Sequence, residues 1–196
     1  MKQMISLVCI VAIAMLASSG CGGRSTAESL SGGQGAAAAA PNPAYLLAAE
    51  PTGALGVAEV RRNGTDGQEV VVSGWIAGTG NPFVDGRAAF TLVDSELPPM
   101  ECAEKPYLFC CMPKEALLPN LIMVKFVDAA GQTIATDARQ LLGVREGSAV
   151  VVQGRLQAGE DGTVHCLLAS KLFNRGDAVF TKKYPQLSGD SDGAAH

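Results

Sequence analysis

A single all-β domain, a small five-stranded barrel with one short helix between its third and fourth strands, is the fold class that this sequence predicts. Three observations carry that expectation. Five short runs rich in β-branched and aromatic residues follow one another between residues 69 and 173, separated by turn formers. Apolar side chains alternate along the runs, the period-two pattern that a half-buried strand requires. The span, about 110 residues, suits one hydrophobic core.

The first strand is Glu69 to Ile76, EVVVSGWI, with Val70, Val72 and Ile76 on one face. The second is Ala88 to Asp94, with Phe90 and Leu92 inward. The third is Leu121 to Asp128, with Ile122, Val124 and Phe126 inward. Thr136 to Gly143 then reads as a short helix, started by Thr136 or Asp137 and ended by Gly143. The fourth strand is Ala149 to Leu156, with Val150, Val152 and Leu156 inward. The fifth is Thr163 to Phe173, with Val164 and Leu168 inward. Gly74 and Gly154 sit late in the first and fourth strands, where a small barrel must bend sharply. Five strands with a helix between the third and fourth match the order of an OB-fold, a Greek-key barrel. The stretches VVVSGWI, FTLVD and REGSAVVVQGRL resemble bacterial OB-fold domains related to anticodon-binding modules. That resemblance covers residues 67–175 and implies a fold more than a function.

The amino terminus reads as a targeting segment. Lys2 precedes an apolar run from Ile5 to Ala17, too short to span a bilayer, which takes about 20 apolar residues. Ser18-Ser19-Gly20-Cys21-Gly22 follows. Small residues before a cysteine resemble the lipobox of bacterial lipoproteins, although Ser18 stands where that family usually has Leu. The resemblance implies cleavage before Cys21, diacylglycerol on its thiol and acylation of the new amino terminus. The chain is thus similar to uncharacterised lipid-anchored OB-fold proteins, facing the periplasm and reaching the membrane through palmitate-like lipid. Ordinary secretion, with Cys21 left as a thiol, is the competing reading.

Four segments are expected: a signal peptide over 1–20, a tether and lead-in over 21–66, the barrel over 67–175 and a tail over 176–196. Residues 22–41 are Gly, Ala and Ser-rich with no apolar face, and Ala44 to Glu50 is long enough for one or two helical turns. The chain has 15 basic and 19 acidic residues; loss of Lys2 with the leader leaves a net charge of −5. Nucleic acid is therefore not expected as a partner, because such binding depends on Lys and Arg neutralising phosphates. A lipid anchor, in contrast, needs no electrostatic attraction.

No catalytic constellation is visible, so the protein is not expected to be an enzyme. The histidines are His165, inside the fifth strand, and His196. No metalloprotease helix motif, serine triad order or phosphate-binding glycine loop is present. Asp94 and Asp128 end strands, where Asp commonly starts a turn. The segment REGSAVVVQGRL, then GTVHCLLASK and Lys183-Tyr184-Pro185, looks like the carboxyl half of periplasmic heme chaperones. In that family a heme-attaching histidine stands four positions before a tyrosine. Phe180 holds that place here, so a shared fold is implied and shared chemistry is not. No cofactor is expected.

Ligands of OB-folds lie across strands two and three, framed by the loops joining strands one to two and four to five. The first loop, Ala77 to Arg87, carries Phe83 and Arg87 and follows Trp75; these three are the ligand-binding candidates, for a sugar, a base or a peptide. The competing reading has Trp75 and Phe83 capping the barrel. The connection from Ser95 to Asn120 is long for a compact domain and contains Cys102, Cys110 and Cys111. With Cys166 these make four cysteines in an exported domain, first read as disulfides. Pairing Cys110 with Cys111 strains the ring, since neighbouring Cα atoms lie only about 3.8 Å apart. One is therefore expected to bond Cys102 and the other Cys166. If strand five lies away from the loop, Cys166 is a small core residue between Val164 and Leu168. The alternative is a zinc or copper site of these thiolates with His165, although the C-x7-C-C spacing fits no common zinc module. The functional expectation is an envelope binding protein for a small ligand or an envelope protein. The alternatives are a metal-binding protein using the cysteine loop and a structural or assembly factor.

Overall fold

The computed structural model describes residues 40–98 and 108–176. In chain order the elements are β1 (Leu55–Gly56), α1 (Val57–Asn63), β2 (Glu69–Ile76), β3 (Ala89–Val93), α2 (Lys114–Leu117), β4 (Leu121–Phe126), α3 (Ala138–Leu142), β5 (Ala149–Ala158) and β6 (Val164–Gly176), with 3-10 turns at Pro43–Tyr45 and Leu118–Asn120. The sheet order is β1-β2-β3-β4-β6-β5, and β2 also pairs with β5. That last pairing closes β2 to β6 into a five-stranded barrel. All its ladders are antiparallel except β4–β6, which is parallel. The helix between β4 and β5 is α3, so the connectivity is OB-like. β1 is a two-residue addition lying parallel to β2.

The inward residues of β2 to β5 are those that alternation predicts. Val72, Ile76, Phe90, Leu92, Ile122, Val124, Phe126, Val150, Val152 and Leu156 form the barrel core, with Val70 packed at its edge. At the barrel closure, a side chain at Gly154 would run into the Leu168 carbonyl across the β5–β6 ladder. In α3, the Asp137 carboxylate accepts the Arg139 N–H at 2.9 Å, and the helix ends at Gly143 with φ 66°. The two residues are thus the cap and stop that the sequence predicts.

Strand β6 departs from the expected phase. Its ladder with β5 slips between Gln153 and Gly154 and again between Gln157 and Ala158, leaving Ser170 and His165 without a register partner. Each bulge adds one residue and reverses the alternation. Val164, Leu167, Ala169 and Leu172 consequently face the core. Leu168 is half-exposed instead. Cys166 pairs with Met123 and Gln157, outward positions, so it lies on the outer face of the wall and yet is fully buried.

The domain also begins earlier than residue 67. The Asn42 N–H donates to the Leu141 carbonyl at 2.8 Å, Leu46 bridges to Leu172, and Tyr45 meets Phe126 edge-on at 6.0 Å. Val57 and Val60 of α1 are buried in the barrel core. Within Ala44 to Glu50 the helical conformation is limited to the end of the 3-10 turn Pro43–Tyr45, and Glu50 pairs with Arg175 at the end of β6. The start of α1 is held from outside: Asp94 Oδ2 accepts the Ala58 N–H at 2.8 Å and Oδ1 accepts the Glu96 N–H at 2.8 Å. Asp94 is 4 % exposed, so both its oxygens serve the backbone inside the fold.

Candidate functional site

The β3–β4 ladder pairs Ala89 with Lys125, Thr91 with Met123 and Val93 with Leu121 on the face turned away from the core. That outer wall is covered at one end and open at the other. Over the covered end, Trp75 and Ala149 join Val93 and Leu121 in a second apolar cluster. The long connection supplies its roof: Leu97, Phe109 and Leu117 are buried there and Met112 packs beside them. Phe109 is fully buried, and its N–H donates to the Gly78 carbonyl at 2.8 Å. The described parts of the connection, residues 95–98 and 108–120, thus pack on the wall through their apolar side chains.

The open end is a groove of about 370 Å³. Val84, Ala89 and Met123 give it apolar surface, Gln132 and Thr133 give it hydrogen-bonding groups, and its charged residues are Arg87 and Lys125. Val84 is 41 % exposed, unusual for an aliphatic side chain on this surface. Arg139 engages the nearby acid Asp85 at 2.9 Å. The groove therefore presents two cations beside apolar surface.

Of the predicted ligand residues, Arg87 alone lines the groove. Trp75 is 1 % exposed, under that roof. Phe83 is buried against Phe90 at 6.2 Å, and the Arg139 guanidinium covers its ring at 5.1 Å. Both are therefore packing residues, the competing reading of the sequence. Arg139 in turn is clamped by Asp137 at 2.7 Å, whose hydrogen bond lowers the Asp137 carboxyl to about 2. Met123, Lys125, Gln132 and Thr133 were missed by sequence reasoning. The outward phase of strands two and three marks Met123 and Lys125; no local signal marks Gln132 and Thr133, which come from the loop after β4.

The two aspartates at strand ends both serve the backbone. Asp94 serves α1, and Asp128 accepts the N–H groups of Ala130 and Gln132 at 2.9 Å each, closing a turn.

The cysteines differ from the expected disulfide framework. Cys110 and Cys111 are exposed thiols with sulfurs 3.6 Å apart, against about 2.05 Å for a disulfide. Cys166 remains a thiol too, so the staple from the loop to β6 is not formed. Burial raises its pKa, opposed by the nearby Lys125 charge. His165 is exposed and contacts the Thr163 carbonyl. Cys102 and Cys21 lie outside the described residues. Among the described residues no three His, Cys, Asp or Glu side chains come together as a metal site, and no helix is long and apolar enough to cross a membrane.

No family model, curated protein or solved structure matches this chain.

Proposed function

We propose that this chain is a lipid-anchored binding protein of the cell envelope, and that the groove on the open half of the β3–β4 wall is its ligand site. The observation that carries the reading is the placement of Arg87 and Lys125 beside Val84 and Met123 in one concavity. OB-like barrels use this same face for ligands. Arg offers a planar fork of donors and Lys a compact charge, both suited to a carboxylate. Val84 and the adaptable Met123 suit an adjoining apolar group. The ligand class is then a small molecule or peptide end with a carboxylate next to an apolar side chain. A polyanion fits less well, since the chain without its leader carries a net charge of −5. The role is binding and not catalysis.

N-acetylphenylalanine and its amide are the probes. In nitrogen-resolved NMR, the acid is expected to shift the amides of Ala89, Thr91, Met123 and Lys125, and the uncharged amide to leave them in place. The Arg87→Ala, Lys125→Ala double variant should lose the response. Shifts confined to other surfaces, or equal shifts with both probes, would reject the site. The anchor rests on the apolar leader ending at Ser18 to Cys21. Labelled palmitate is expected in the wild type and not in Cys21→Ala, and that variant should leave the membrane fraction. Equal labelling of the two would rule the anchor out.

A further inference from the structure

The bulge at His165 reverses the phase of β6 and turns Leu168 outward, where it is half-exposed. Bulges beside functional sites often re-aim a side chain in this way. Leu168 pairs with Lys125 of β4 on one side and with Arg155 of β5 on the other. Lys125 in turn pairs with Ala89, and Arg155 with Glu69. One outward row, Ala89-Lys125-Leu168-Arg155-Glu69, therefore crosses all five barrel strands. Ala89 and Lys125 line the groove. The far end of the row borders a second concavity of about 570 Å³, whose lining includes Leu168, Arg155, Glu69 and Asp128. The turn after β4 stands between the two: Gln132 and Thr133 line the groove, while Asp128 and Gly131 line the second concavity.

The two concavities differ in charge. The groove carries Arg87 and Lys125. In the second, Arg155 and Glu69 pair at 2.9 Å and offset one another, and Asp128 adds a negative charge. Asp128 Oδ1 accepts both N–H groups of its turn, so the carboxylate is held in place while its second oxygen keeps acceptor capacity. Neighbouring strands lie about 4.8 Å apart, which puts Lys125 and Arg155 roughly 10 Å apart across the row. Asp128 follows Lys125 along the chain by at most about 10 Å.

We propose that the second concavity holds the amino end of a short peptide whose terminal carboxylate lies in the groove. The inference rests on the groove reading and narrows its ligand class to an unblocked tripeptide, since three extended residues span about 10 Å. The carboxylate meets Arg87 and Lys125, the chain crosses Leu168, and the ammonium meets Asp128. Opposite charges at the two ends fix the direction in which the peptide lies.

The probes are Ala-Ala-Phe, its N-acetyl derivative and N-acetylphenylalanine, followed by nitrogen-resolved NMR of the full-length chain. Ala-Ala-Phe is expected to shift the amides of Met123 and Lys125 in the groove and those of Gly131, Arg155 and Ser170 in the second concavity. N-acetylphenylalanine should shift the groove set alone. Acetylation should weaken tripeptide binding about fivefold, the size of an exposed charge pair. Asp128→Asn keeps an Oδ1 acceptor for the turn and removes the charge. It should bring the free tripeptide down to the affinity of the acetylated one and leave N-acetylphenylalanine binding unchanged. If Ala-Ala-Phe shifts the groove alone, or if acetylation and Asp128→Asn leave its affinity unchanged, the second subsite is overturned and the groove stands. If no probe shifts the groove amides, the groove reading fails and the subsite fails with it.

Discussion

The β3–β4 ladder turns one row of side chains to the core and the other outward, and the outward row is treated differently at its two ends. Val93 and Leu121 lie with Trp75 beneath Phe109, Leu97 and Leu117 of the long connection. Ala89, Met123 and Lys125 have no such cover and border the groove with Arg87. The strands themselves do not account for the contrast, since both ends have the same alternation. What differs is the neighbouring chain. The connection from β3 to β4 carries enough apolar side chains to form a roof, whereas the loops that carry Arg87 and Gln132 pack their apolar residues, such as Phe83 and Ile134, on the barrel core instead. One half of the wall therefore works as a second core and the other remains a surface on which a ligand can be held.

Removing the roof should have the largest effect. Phe109→Ala deletes a fully buried aromatic and is expected to cost about 3–5 kcal/mol in urea unfolding. Trp75→Ala should cost a similar amount, and the double variant less than their sum, because both belong to one cluster. Additive losses would show that the loop and wall do not pack as one unit.

A smaller loss is expected from Asp94→Ala, which strips the Ala58 and Glu96 N–H groups of their acceptor. The expected cost is about 1–3 kcal/mol, with the earliest amide exchange in α1. Loss confined to the groove would contradict that placement.

The clamp beside the groove gives a pH dependence. Asp137 is lowered from 3.8 to about 2 by its hydrogen bond with Arg139. A depressed carboxylate stabilises the fold above its unfolded value, and that stability is lost as pH falls through the folded value. Acid titration should therefore remove a small increment between about pH 4 and pH 2. Asp137→Asn should flatten that portion of the curve, as measured by unfolding at each pH. An unchanged curve would show that the clamp does not contribute.

The smallest stability effect belongs to the open half. Arg87→Ala and Lys125→Ala are each expected to change stability by no more than about 0.5 kcal/mol. Their effect should appear in the response to N-acetylphenylalanine instead. A large loss of stability from either would place it with the roof residues and break the contrast.

The sequence by itself determined the strand positions and the capped helix. β2 spans the same residues, Glu69–Ile76, that its alternation marks, and Asp137 and Gly143 bound α3 as their local chemistry requires. These features depend on neighbours a few residues apart, so the local pattern contains them. Tertiary structure decided what depends on partners far along the chain. The bulge at His165 puts Cys166 and Leu168 on the outer face, along the stretch that β6 pairs with both β4 and β5, and the bulge at Ser170 reverses the phase again. Trp75 and Phe83 look alike in the sequence as exposed aromatics of a binding loop, but Phe109 and Arg139, distant in the chain, bury them. Arg87 stays exposed although the Ala138 N–H, from a distant segment, donates to its carbonyl. Which outward residues remain a surface depends on where the other loops land, and that is a property of the closed barrel and not of any local run of residues.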